Sequence, residues 1–173
     1  MFSNHKIERG EGMKIYVKNK LVSLGGSSTV KDANGNDIFK VKGKFLSLTR
    51  KKKILDMEGK LHYVVKNRFF NFWTHASFIY SAEKQKLAKL SNRAFKTGFD
   101  VKGYGDEISI DGWLLTGCTI YKNGEKIGSV NSKALALSDT FEVEVNDNED
   151  PAFIVALIIA MDNVLDKATK ART

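Results

Sequence analysis

Apolar and polar residues alternate along most of this chain, in short runs broken by glycine, asparagine and aspartate. Phe39-Lys40-Val41-Lys42 follows the turn-rich Asp32-Ala33-Asn34-Gly35-Asn36, and Phe141-Glu142-Val143-Glu144-Val145 sets aromatic and β-branched side chains on one face and carboxylates on the other. A period of two is that of a strand with one face in and one face out. The pattern predicts strands at 14–18, 28–31, 38–42, 44–50, 52–56, 60–66, 73–81, 85–91, 98–102, 107–111, 118–121, 126–131 and 140–145. About a dozen strands at this spacing describe a meandering antiparallel sheet.

The alternation stops at Asp150. Pro151, the only proline, follows, and then Ala152 to Met161 run for ten residues without a polar side chain. Asp150 suits an N-cap and Pro151 the first helical position. Ten helical residues cover roughly 15 Å, about half of a bilayer's hydrocarbon core, so a buried helix is the reading rather than a membrane span. A helix apolar all round must be enclosed on every side. Twelve twisted strands tend to close, and a barrel of that size leaves a lumen too wide for strand side chains alone. The expected architecture is therefore a mainly β, closed antiparallel barrel of about twelve strands around a central hydrophobic C-terminal helix, a solution known from eleven-stranded cans. A two-layer sandwich would leave one side of that helix wet.

At 173 residues and 42% hydrophobic, the chain is sized for one domain with a substantial core and no need of metals or disulfides. The expected division is a flexible N-terminal extension over 1–12, one domain over 13–168 and a tail over 169–173. A single cysteine, Cys118, excludes an internal disulfide. With no apolar stretch behind the charges of the first residues, the expected location is the cytoplasm, or the periphery of the membrane.

Charge is unevenly distributed. Residues 1–105 carry 22 Lys and Arg against 8 Asp and Glu, a net of +14, whereas residues 106–173 carry 6 against 12, a net of −6. Such asymmetry points to an anionic partner for the basic part, unless the two parts interleave in space.

Residues 35–44 (Gly-Asn-Asp-Ile-Phe-Lys-Val-Lys-Gly-Lys), 54–60 (Ile-Leu-Asp-Met-Glu-Gly-Lys), 120–128, with Tyr121-Lys122-Asn123-Gly124, and the pair of 139–143 and Phe153 to Asp162 together resemble the LOR family, a branch of the tubby C-terminal-like superfamily. The resemblance covers roughly residues 13–167. It implies a twelve-stranded tubby C-terminal-like barrel around a hydrophobic helix. Tubby domains bind phosphoinositide head groups, and related scramblases act at membranes. No tubby lipid-contact motif maps onto this sequence residue by residue.

Catalytic constellations are lacking in the sequence. His5, His62 and His75 have no metal-ligand spacing with Cys118, and Cys118 reads as a small buried strand residue. Gly25-Gly26-Ser27-Ser28 has no P-loop lysine, and Gly103-Tyr104-Gly105 lacks the third glycine of a dinucleotide fingerprint. Asp106, Glu107 and Asp111 read as a solvated surface. No catalytic residue, cofactor or metal is expected. The basic residues carry more. Lys40, Lys42 and Lys44 share one strand face, and Arg50, Lys51, Lys52 and Lys53 follow at a predicted hairpin, so paired strands would gather seven cations against an anionic head group. The expected function is a non-catalytic binding module for anionic phospholipid or phosphoinositide head groups at the cytoplasmic membrane surface. The alternatives are a protein-interaction scaffold or a nucleic-acid-binding protein, the latter through Lys66, Arg68, Phe69, Phe70, Phe72 and Trp73.

Overall fold

The computed structural model describes residues 12–18, 27–43, 49–67, 76–93, 96–131 and 140–170, with side chains to 165. Twelve strands precede one helix. They are β1 (Met13–Lys18), β2 (Ser27–Asp32), β3 (Asp37–Gly43), β4 (Lys52–Leu55), β5 (Leu61–Asn67), β6 (Ala76–Ser81), β7 (Lys86–Asn92), β8 (Phe99–Gly103), β9 (Ile108–Trp113), β10 (Gly117–Lys122), β11 (Glu125–Asn131) and β12 (Thr140–Val145), followed by α1 (Pro151–Lys170). Each strand pairs antiparallel with its neighbours in sequence, and β1 closes the barrel on β12, from Met13 opposite Val145 to Lys18 opposite Thr140. Closure leaves no exposed edge.

The alternation read from the sequence is the inside and outside of this barrel. Phe39 and Val41 point inward on β3, as do Phe141, Val143 and Val145 on β12, all buried. Turn chemistry sets the register where expected. Asp32 Oδ1 accepts the N–H groups of Asn34 at 2.9 Å and Asn36 at 2.8 Å, while Gly35 takes φ +84° in the β2–β3 turn and Gly59 φ +94° in the β4–β5 turn. A side chain strains such backbone. The expected segment 44–50 is not a strand at its described end: Thr49 lies in a turn and Arg50 is left-handed at φ 47°. Residues 44–48 lie outside the described residues.

The helix fills the lumen. Asp150 Oδ1 accepts from the Ala152 N–H at 2.8 Å, the N-cap bond that satisfies one orphan donor of the first turn. Asp150 Oδ2 takes the Tyr63 hydroxyl at 2.6 Å, and Tyr104 stacks on Phe153 with ring centroids 3.9 Å apart. Burial and the adjacent Asp150 carboxylate both push the Tyr63 hydroxyl well above its ordinary pKa. Ala152 to Met161 are each no more than 2% exposed, so successive residues around the whole circumference are covered. The helix packs against β4 to β7, entering near the start of β5 and reaching its end at Asn163, whose carbonyl accepts from Asn67 Nδ2 at 3.2 Å. No helix among the described residues is long and apolar enough to cross a membrane.

Candidate functional site

In a barrel whose strands follow sequence order, a charge gradient along the chain becomes a charge gradient around the circumference. The basic and acidic parts of the sequence therefore do not interleave. The outer face of β3 to β8 is basic, and its cross-strand rows follow from the register. In one row Lys42 stands opposite Lys53, Lys53 opposite Val64, Val64 opposite Tyr80, and Tyr80 opposite Lys86. In the next, Lys66, Phe78, Lys89 and Lys102 follow across β5 to β8. Lys40 lies two residues from Lys42 on the same face of β3.

Directly opposed like charges are destabilising, yet Lys42–Lys53 and Lys89–Lys102 are both of this kind. Among the described residues, Lys42, Lys53, Lys89 and Lys102 have no carboxylate partner. Lys66 places its ammonium 4.2 Å from the centre of the Tyr80 ring, and Lys86 lies 5.9 Å from that of Phe78.

The opposite side is internally neutralised. Lys14 pairs with Glu142 at 3.6 Å, Lys126 with Glu144 at 3.6 Å and Lys122 with Glu149 at 2.9 Å. At the margin of the basic face, Arg93 after β7 bridges Asp100 on β8 at 2.8 Å and Asp111 on β9. A shallow depression of about 490 Å³ opens on the neutralised side, lined in part by Asp111, Thr119, Lys126, Ser129 and Glu144. Its charges are already matched, and within it the Ser129 hydroxyl donates to Glu144 Oε2 at 3.1 Å, on a carboxylate that also faces Lys126.

Of the seven cations expected to gather, Lys40, Lys42 and Lys53 share the basic face, with the exposed Lys51 and the half-buried Arg50 at the β3–β4 connection beside it. Lys44 lies outside the described residues. Lys52 departs from the cluster. It shares its strand face with Ile54, turns into the barrel and is only 5% exposed. Burial pulls its pKa down, against the Asp162 carboxylate, which acts to raise it. Lys66, Lys86, Lys89 and Lys102 were not expected in this surface. Their signal is outward parity on consecutive strands, which gains meaning only once the strand order is known. In the proposed nucleic-acid motif, Lys66 stands on this face, Asn67 is buried, and 68–73 lie outside the described residues.

The other candidates take ordinary places. His62 sits on β5, 3.4 Å from Asp56 and edge-on to Phe39; His5 and His75 lie outside the described residues. Cys118 on β10 is 6% exposed, and burial pushes its thiol up to about 12. Such a thiol is ionised to roughly one part in ten thousand near pH 8. Native protein is accordingly expected to resist a disulfide reagent such as Ellman's at that pH, with one thiol released on unfolding. Rapid reaction of the folded protein would contradict the burial.

Comparison with known proteins agrees with this architecture. The chain is 28% identical to Protein LURP-one-related 15 of Arabidopsis thaliana over 84% of its length and 76% of the relative's. It is 24% identical to the uncharacterized protein YxjI of Bacillus subtilis, over 88% and 94%. An X-ray structure of a protein from Arabidopsis thaliana, 22% identical, superposes with a TM-score of 0.64 over 88% of this chain and 91% of that one. The profile of LURP-one-related proteins matches residues 13–162, and the chain belongs to that family.

Proposed function

We propose that the protein is a non-catalytic binding module that docks its basic face on anionic phospholipid head groups at a membrane surface. The observation that carries this reading is the contrast between the two sides of the barrel. Lys42 and Lys53, and likewise Lys89 and Lys102, stand opposite one another without carboxylate partners among the described residues, whereas Lys14, Lys122 and Lys126 on the far side are each paired with a glutamate. An anionic lipid surface attracts each such lysine by roughly 1 kcal/mol near the surface. The resemblance to tubby domains, which bind phosphoinositide head groups, supports the same reading. A barrel with no free edge and a filled core offers a rigid face rather than a catalytic cleft.

The test is co-sedimentation with phosphatidylcholine vesicles, with and without phosphatidylserine. Binding is expected only with the anionic lipid, and it should fade between about 0.1 M and 1 M salt, as the screening length shrinks from roughly 10 Å to 3 Å. No binding to acidic vesicles at low salt sinks the proposal. Binding of a single-stranded oligonucleotide under conditions where vesicles do not bind overturns it in favour of nucleic acid, with Phe78 and Tyr80 as stacking platforms.

A further inference from the structure

Among the described residues only four polar side chains are buried, Lys52, Asn67, Ser77 and Asn163, and all four meet at one end of the barrel. Asn67 and Ser77 stand directly opposite each other across β5 and β6. Lys52 is paired with Val65, two residues before Asn67. The Asn163 carbonyl on α1 accepts from Asn67 Nδ2, and the preceding residue, Asp162, supplies the carboxylate that acts on Lys52. The rest of the described lumen is aliphatic and aromatic. This end is also where most strand connections run to six or eight residues, whereas the opposite end is closed by turns of two to five. Barrel mouths are a recurrent place for ligand sites.

Three of these four residues are not merely polar. Asn67 Oδ1, Ser77 Oγ, and both Oδ1 and Nδ2 of Asn163 are buried with no hydrogen-bond partner among the described residues, and Asn92 Oδ1 at the end of β7 is a fifth such atom. Buried polar atoms are normally satisfied, and orphaned ones are costly enough to be rare. Five of them on uncharged side chains at one end, two on the helix and one on each of three consecutive strands, are not what a lumen filler needs. Apolar side chains at the same positions would pack with no such cost.

We propose that this mouth of the barrel binds a small neutral molecule rich in hydroxyl groups, of the polyol class. The unpartnered atoms include acceptors, a donor and a hydroxyl that is both. A ligand hydroxyl both donates and accepts at one atom, so it complements the set whichever way the carboxamides are turned. A carboxylate only accepts, and a phosphate has far more acceptors than donors and a charge besides, so either would set oxygens against the carboxamide oxygens. A cation would stand against Lys52. Asp162 already opposes the charge of Lys52, so the site has no excess charge to attract an ion. The proposal is independent of the basic outer face.

Side-chain amide NMR signals of the full chain, titrated with glycerol, erythritol, xylitol and inorganic phosphate in turn, provide the test. Polyols stabilise most proteins through exclusion from the surface, so the readout is local shift rather than melting temperature. The Asn67 and Asn163 signals should move saturably with at least one polyol and stay still with phosphate. Ser77→Ala and Asn163→Leu should weaken that response at least tenfold. Both variants should fold, since each removes an orphaned polar atom, and Lys53→Glu should leave the response unchanged. No saturable shift with any of the three polyols overturns the proposal. So does an equal shift in both variants, a response to phosphate alone, or a crystal grown in the most effective polyol that shows ordered water only at this end.

Discussion

Replacing Leu157 by aspartate is expected to leave no cooperatively folded protein. Leu157 is wholly buried in the middle of the segment that fills the lumen. Losing a buried leucine side chain alone costs about 2–5 kcal/mol. A carboxylate without a partner in the same place adds several kcal/mol, or is forced to take up a proton. Domains of this kind are stable by roughly 5–15 kcal/mol in total. The one buried cation among the described residues, Lys52, already faces Asp162 and is not available as a partner. Far-UV circular dichroism and urea titration should show an expanded chain without a sharp transition. Leu157→Met, which conserves volume, should stay within about 1.5 kcal/mol of wild type. If the aspartate variant unfolds cooperatively near the wild-type midpoint, the helix does not fill the barrel.

Lys53→Glu should move stability and membrane binding in opposite directions. On the outer face Lys53 opposes Lys42, so the substitution converts a repulsive cross-strand pair into an attractive one, worth roughly 0.2–1 kcal/mol. The urea midpoint should hold or rise. Binding to phosphatidylserine vesicles loses about 1 kcal/mol of attraction and gains a similar repulsion, close to a thirtyfold weakening. Lys126→Glu changes net charge equally on the neutralised side, where Lys126 already pairs with Glu144. It should weaken binding far less. Equal weakening by the two substitutions would mean that overall charge alone drives association, and that the β3–β8 face has no special part in it.

The fold was legible because two simple periods carry it. Alternation marks each strand wherever one face is buried, and the uninterrupted apolar run from Ala152 to Met161 has no place but the interior. The candidate surface was legible only in part. Lys40 and Lys42 announce their face through Phe39 and Val41, but the run Arg50-Lys51-Lys52-Lys53 looks uniform when read as charge alone. Its parity with Ile54 turns Lys52 inward, and only a defined strand start makes that visible. Lys66, Lys89 and Lys102 are far apart in sequence and become neighbours through register, which local pattern does not encode. The buried polar mouth was harder still. Asn67, Ser77 and Asn163 belong to different elements, and each looks like an ordinary surface residue until the helix is threaded through the strands.

The position of the filler at the far end of the sequence has a consequence for synthesis. As the chain leaves the ribosome, all twelve half-apolar strands emerge before the segment that can cover their inner faces, and β1 must wait for β12 before its outer hydrogen bonds are made. The nascent protein therefore passes through a long interval of exposed apolar strands, in which neither local hairpins nor early collapse can complete a core. Holding such a chain soluble falls to chaperones or to its own high density of lysine, and a stall just before residue 152 would release a barrel wall with nothing inside.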